Sequence, residues 1–205
     1  ILNSFNKEAI HEKLAAFLTK NDTPKISAIV TTHNEEKNIE KCLASIQWAD
    51  EILVIDSFST DNTLMLCEKF GATVLQRKYN YAADQKNWAI PQAKHPWIVL
   101  LDADEVASID LKSEVNEILR TRPKYTAYWI RRKNFFLGKK VRFCGWQNDR
   151  VVRFFHRDYH KYQNKMVHEE IERNNTFGIL KSSLTHNTTT DVLAYTKKIE
   201  RYAYY

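Results

Sequence analysis

WIVLLDADE, residues 97–105, decides how the rest of the chain is to be read. Five apolar or aromatic residues run without a break, and then Asp102, Asp104 and Glu105 bring three carboxylates into four positions. A short unbroken apolar run is the pattern of a strand buried on both faces, as in a parallel sheet. Like charges gathered at its end repel one another unless something positive is held between them.

The pattern repeats upstream. ISAIVTT, EILVID and ATVLQ are short runs rich in β-branched residues. The segments between them carry apolar residues at helical spacing, as in NEEKNIEKCLASI with Ile39, Leu43 and Ile46. Asn34 is the expected N-cap there, with Glu35 and Glu36 in the positive first turn. STDNTLMLCEKFG reads as a helix ended by Gly71, and YAADQKNWAIPQA as another. After WIVLL comes SIDLKSEVNEILR, with Leu111, Val115 and Leu119 on one face. Strands alternating with helices predict an α/β, mostly parallel, Rossmann-like sheet flanked by helices over residues 26–120.

From residue 121 the pattern changes. TAYWIRR, KVRF and RVVRFF read as strands, followed by KMVHEEIE and GILKSSLTHN, so a smaller mixed sheet is expected over 121–205. TDVLAYTKKIERYAYY places Val192, Tyr195, Ile199 and Tyr202 on one helical face. Residues 1–25 form a peripheral segment, with Phe5, Ile10, Leu14 and Phe17 at loose helical spacing before NDTPK. The chain opens on Ile1 and ends inside a helical pattern, which is the expectation for a truncated chain.

Net charge is +6, but the distribution is more telling. Between Arg120 and Lys165 there are 14 Lys and Arg against two acids, Asp149 and Asp158, together with eleven aromatics. Such a segment suits an anionic partner, and one alternative reading is a nucleic-acid-binding module. That reading leaves the acidic strand ends unexplained, since without a cation they repel phosphates. No apolar run approaches the roughly 18 residues that span a bilayer, and no secretory signal pattern is present. Cys42, Cys67 and Cys144 are odd in number and lack CxxC spacing, which suits a reducing, cytoplasmic compartment.

Ligands of open parallel sheets bind at the carboxyl ends of the strands. Here those ends read Thr31-Thr32-His33-Asn34, Asp56-Ser57 and Asp102-Ala103-Asp104-Glu105. In extended chain Asp102 and Asp104 face the same way, which makes half a site for a hard cation, Mg²⁺ or Mn²⁺. GxxxxGK and GxGxxG are both missing, and the chain has only four glycines. Phosphates must then be held by metal and basic side chains rather than by a backbone cradle. A nucleotidyltransferase, which also pairs Asp with Mg²⁺, would carry a glycine-rich basic loop where this chain has TTHNEEKN.

ISAIVTTHNEEKNIEKCLASIQWADEILVIDSFSTDNT, QKNWAI and WIVLLDADE together resemble the nucleotide-sugar-binding half of inverting family 2 glycosyltransferases with the GT-A fold. RRKNFFLG, CGWQND, RVVRFF, MVHEEIE and SSLTHN resemble the branch that includes lipopolysaccharide core β-1,4-glucosyltransferases. The resemblance implies metal-dependent transfer of a sugar from a nucleotide diphosphate, such as a UDP-sugar, to a glycan or glycolipid hydroxyl. It puts Thr31, His33, Glu35, Asp56, Lys86, Asp102, Ala103 and Arg153 on the donor, with Asp56 accepting from the uracil N3–H. It implies Asp104, Asp102 and His186 as metal ligands, with Asp104 the more direct one. His168 would position its neighbours. Phe58 stands where relatives have a glycine, and Asn148 where they have a proline.

Inversion also needs a carboxylate base, and with Asp102 and Asp104 on metal it must come from the second half. Glu169 is preferred over Asp149 and Glu170, because its place before Gly178 and His186 is similar to the family's acidic base motif. No nucleic acid is expected as a partner, whereas peripheral contact with an anionic membrane surface, on the inner face of the cytoplasmic membrane, is compatible with the basic stretch.

Overall fold

ISAIVTT forms β1 (Ile26–Thr32), third from one edge of a single sheet. The computed structural model describes residues 23–143, 145–166, 169–172 and 177–189, with 192, 193, 195, 196 and 200 beyond them. The expected N-terminal helix, Cys144, His168 and most of the expected C-terminal helix lie outside the described residues.

Four strands run parallel in the order β3 (Thr73–Gln76), β2 (Glu51–Asp56), β1 and β4 (Trp97–Asp102). Their apolar residues divide between two cores, as a sheet covered on both faces requires. Ala28 and Val30 pack on one side with α1 (Ile39–Ile46), while Ile29 packs on the other with Ala83 and Ala89 of α3 (Ala82–Ala89). In α1 the buried face is Ile39, Cys42, Leu43 and Ile46, the spacing of an amphipathic helix. Between β2 and β3 lies α2 (Thr63–Lys69), and Gly71 just beyond it takes φ +67 while its N–H donates to Glu68 O at 2.9 Å. That left-handed turn is the expected helix stop.

The loop after β1 corrects an expectation. Helix α1 starts at Ile39, and Asn34 is not its cap. Asn34 takes φ +53, accepts from Thr60 N at 2.7 Å and donates its own N–H to Ser59 Oγ at 2.8 Å. It joins the loops that follow β1 and β2. Phe58, in the glycine position of the second loop, also takes a left-handed φ of +59 and leaves its ring half exposed.

Beyond β4 the sheet becomes mixed, as expected. β8 (Arg150–His156) runs antiparallel to β4, then β6 (Ala127–Phe136), β9 (Gly178–Thr189) and β5 (Glu105–Ala107) follow. β7 (Lys139–Lys140) pairs with β6 and is all that remains of the strand expected over KVRF. β5 was unexpected, and it shapes the molecule. Only two residues separate it from β4, so their near ends lie within about 11 Å along the chain. Across the sheet they are four strand spacings apart, about 19 Å if flat. The sheet must therefore curl, bringing β9 and β6 round to face the ends of β1 and β4.

Helix α4 (Leu111–Arg120) locks that curl. Leu111, Val115 and Leu119 enter the first core, and Glu114 accepts from the N–H groups of Lys181 and Ser182 on β9 at 2.7 and 2.9 Å. Cys42 and Cys67 are buried free thiols, and burial pushes Cys67 up to about 11. Among the described residues no helix is long and apolar enough to cross a membrane.

Candidate active site

Register places the polar strand ends side by side: Thr32 is opposite Asp56, and Thr31 opposite Asp102. The curl of the sheet closes them over with the second half of the chain. The result is a cavity of about 910 Å³. Thr31, His33 and Glu35 line it from β1 and its loop, Asp102, Ala103 and Asp104 from the β4–β5 turn, and Asp149, Glu169 and His186 from the second half.

A buried ion network forms its floor. Arg153, from β8, spends every side-chain nitrogen on the scaffold. Nε donates to Glu105 Oε2 at 3.0 Å, Nη1 to Tyr162 Oη at 3.3 Å, and Nη2 to Asp102 Oδ2 and to Glu105 Oε1. Lys86 of α3 is almost fully buried, with Nζ 2.9 Å from Asp102 Oδ1, 2.6 Å from Glu169 Oε1 and 5.5 Å from the Tyr162 ring centre. Burial opposes each of these charges, but the partners outweigh it. Against burial, Arg153 and Lys86 hold the Asp102 carboxyl well below the usual carboxylate range. Against burial and Arg153, Asp102 and Glu169 hold the Lys86 ammonium above its ordinary value. The Glu169 carboxyl is likewise lowered, by Lys86 against burial.

Arg132 carries the network across the cavity, donating from Nη1 to Glu105 at 3.3 Å and from Nε to Asp149 Oδ2 at 2.7 Å. Asn134 adds a second donor to the same Asp149 oxygen at 2.8 Å. Burial would raise the Asp149 carboxyl, but these two hydrogen bonds outweigh it and lower it.

On the far wall His186 Nε2 lies 3.3 Å from Asp104 Oδ2, and its Nδ1 lies 2.6 Å from Asn134 Oδ1. A carboxylate and an imidazole so close, both facing the cavity, are a donor set suited to a divalent cation.

A description of glycosyl transferase family 2 matches residues 27–183. The chain belongs to that family. It is 38% identical over 112 residues to an uncharacterized glycosyltransferase of Rickettsia bellii, covering 53% of this chain and 38% of that protein. It is 28% identical over 152 residues to the lipopolysaccharide core biosynthesis glycosyltransferase LpsC of Rhizobium meliloti, covering 71% of this chain and 56% of the relative. The chain thus spans about half or less of the length of these relatives. Among solved structures, S. aureus TarS 1-349 superposes with a TM-score of 0.58 at 17% identity, covering 80% of this chain and 60% of that one. Its complex with UDP-GlcNAc gives the same TM-score, 0.58. At such identity the likeness speaks for the fold, which is GT-A, as the motifs implied.

Within that fold the expected site residues divide into two groups. Thr31, His33, Glu35, Ala103, Asp104, Asp149, Glu169 and His186 line the cavity with Lys86, Asp102 and Arg153. Several placements correct the expectation. Asp102 and Asp104 do not act as a pair on one extended face, because residues 103–104 form a turn. Asp102 turns to Arg153, Lys86 and Thr31, while Asp104 turns to His186. Among the described residues no group of three or more His, Cys, Asp or Glu gathers as a metal cluster. Lys86 and Arg153 line the cavity while also paired with Asp102, Glu105 and Glu169.

Asp56 lies behind the wall, fully buried, accepting from Ser59 N at 2.9 Å and Gln76 Nε2 at 3.1 Å. Its neighbour Ser57 and Gln85 line the cavity in its place. The basic aromatic stretch is also partly interior, since Tyr128, Phe154, Phe155 and Tyr162 are core residues and Arg153 is buried. That removes much of the platform a nucleic-acid module needs. Asn134 and Tyr162 are site residues the sequence did not reveal, and neither did it reveal that Glu105 pairs with Arg132 and Arg153.

Proposed function

We propose that this chain carries the donor and acceptor sites of an inverting glycosyltransferase, which moves a sugar from a UDP-sugar to a hydroxyl of a cell-surface glycan or glycolipid. The observation that carries the reading is the Asp104–His186 pair, 3.3 Å apart, on the wall of a cavity that also holds Glu169 and Asp149. When bound there, Mg²⁺ or Mn²⁺ neutralises charge on the departing diphosphate. Asp104 and His186 are the residues that would hold it. The chain's own groups do the rest. Thr31, His33 and Glu35 line the nucleoside end, and Asp102 is locked by Lys86 and Arg153 as a rigid floor. A carboxylate of the second half takes the acceptor proton.

The likeness to LpsC supports a role in lipopolysaccharide or related surface glycans. Arg131 and Arg150 are cross-strand partners and both exposed, and like charges directly opposite are unfavourable without an anion. With exposed Lys139, Lys140 and Arg142 beside Phe143, they support an anionic acceptor and peripheral contact with the inner membrane face.

UDP with Mn²⁺ is expected to raise the melting temperature by several degrees, and excess chelator to remove most of that rise. Stabilisation by UDP that is undiminished in chelator would sink the metal-dependent reading. Asp56→Ala tests the nucleoside end. It orphans the donors of Ser59 and Gln76, which costs about 1–3 kcal/mol of stability. It also releases the turn that presents Ser57, so KM for the donor is expected to rise with kcat little changed. A fall in kcat alone, at constant KM, would remove this end of the cavity from nucleotide binding.

A further inference from the structure

Asn134 is 3% exposed and sits on β6 opposite His186 of β9, as its register partner. Its amide bridges the two sides of the site, and its two ends are not interchangeable. Asp149 in its ionised form only accepts, so the amide NH₂ must face Asp149 Oδ2, 2.8 Å away. That turns the amide oxygen, which also only accepts, toward His186 Nδ1 at 2.6 Å. Nδ1 must therefore carry a proton. In the neutral ring Nε2 is then a bare lone pair, and it faces the Asp104 carboxylate at 3.3 Å. A bare ring nitrogen and a carboxylate at that distance repel unless something positive, a cation or a proton on Nε2, lies between them.

We propose that Asn134 is a positioning residue for the donor-site cation: it fixes the tautomer and ring angle of His186 so that Nε2 and Asp104 Oδ2 are presented together. The inference rests on the proposed function, because the cation belongs to that reading. The other end of the amide ties the same pair to Asp149, so one side chain serves both walls. Arg132 Nε, 2.7 Å from Asp149 Oδ2, keeps that carboxylate partly held if Asn134 is changed. A buried amide that merely packed would affect stability under any substitution, without sorting the variants by what they can accept or donate.

Two variants separate the ends. Asn134→Asp keeps an acceptor for His186 Nδ1–H but loses the donor to Asp149 and sets a like charge beside it. Asn134→Ala loses both. The readouts are Mn²⁺ titration followed by electron paramagnetic resonance at saturating UDP, and long-range ¹H–¹⁵N spectra of His186 in the metal-free protein. Urea midpoints report whether each variant folds, and the near-isosteric Asp variant guards against a collapsed Ala variant. Asn134→Ala is expected to weaken Mn²⁺ about 10- to 100-fold, and Asn134→Asp to stay within about threefold of the parent while sugar transfer falls. The parent spectrum is expected to show the Nδ1–H form.

Parent-like Mn²⁺ affinity in Asn134→Ala, or equal weakening in both variants, overturns the proposal. So does an Nε2–H ring in the parent, whatever the metal does. If the parent itself takes up no Mn²⁺ with UDP, the metal-dependent reading of the donor site fails and this inference fails with it.

Discussion

Arg153→Ala is expected to lower the stability of the fold by about 3–5 kcal/mol, the usual cost of leaving a buried charge without its partner. Glu105 is fully buried, and Arg153 donates to both of its oxygens. With the guanidinium gone, Arg132 Nη1 at 3.3 Å is the remaining cation on Glu105. Asp102 keeps Lys86 and a partly exposed carboxylate, so most of the loss is assigned to Glu105. A cost of this size is a large share of the roughly 5–15 kcal/mol available to a domain.

Arg153→Lys is expected to recover little, because a point charge cannot reproduce a fork that reaches Asp102, Glu105 and Tyr162 together. Glu105→Gln with Arg153→Met removes both charges, and that double variant should be more stable than Arg153→Met alone. Urea unfolding of the four variants measures this directly. A loss below about 1 kcal/mol in Arg153→Ala would mean that water replaces the guanidinium beside Glu105, and the floor of the site is then not a sealed network.

The same residue shows what the sequence could and could not disclose. Periodicity is a local property, so the apolar runs of β1, β2 and β4 and the stripe Ile39, Leu43, Ile46 were readable from neighbouring positions alone. Charge partners are not local. Glu105 meets Arg132 and Arg153 across separations of 27 and 48 residues, and nothing near WIVLLDADE announces those arginines. It was therefore grouped with Asp102 and Asp104 by proximity along the chain, although it opens a strand of its own.

Asn34 misled for a related reason. An Asn after a strand and before acidic residues signals a helix cap and an Asx loop staple equally well. Only its partner, Thr60 across 26 residues, distinguishes them. The family motifs join positions that local periodicity cannot. His186 stands beside Asp104, although the two are 82 residues apart in the chain. Asn148, in the proline position, closes a short helical turn, but Asp149 is aimed by Arg132 and Asn134 rather than by residue 148.

Glu169→Gln is expected to reduce kcat by about 10²- to 10⁴-fold at saturating donor, with nucleotide binding kept, the loss typical of removing a general base. Displacement with inversion requires that base on the face of the sugar opposite the leaving diphosphate. The Asp104–His186 pair marks the diphosphate end in the proposed reading. Asp149 is tied to that end through Asn134, whereas Glu169 is tied to Lys86 on the floor, beyond Asp102. That favours Glu169 as the group that meets the acceptor hydroxyl.

Both carboxyls are held below their ordinary range, which keeps them ionised at neutral pH but makes each a weaker base. Glu169 has the better route out of that constraint. Its cation, Lys86, bonds one carboxylate oxygen and is shared with Asp102, so the acceptor can compete for Glu169 without leaving Lys86 unpaired. Asp149 is gripped on one oxygen by two donors, Arg132 and Asn134, and its expected role is to orient them. Asp149→Asn should therefore cost less, about tenfold, through loss of positioning rather than of proton transfer. Single-turnover transfer with both variants, alongside UDP binding, decides the matter. If Asp149→Asn abolishes transfer with UDP binding intact and Glu169→Gln works near the parent rate, then Asp149 is the base and Glu169 is the clamp that keeps Lys86 against Asp102.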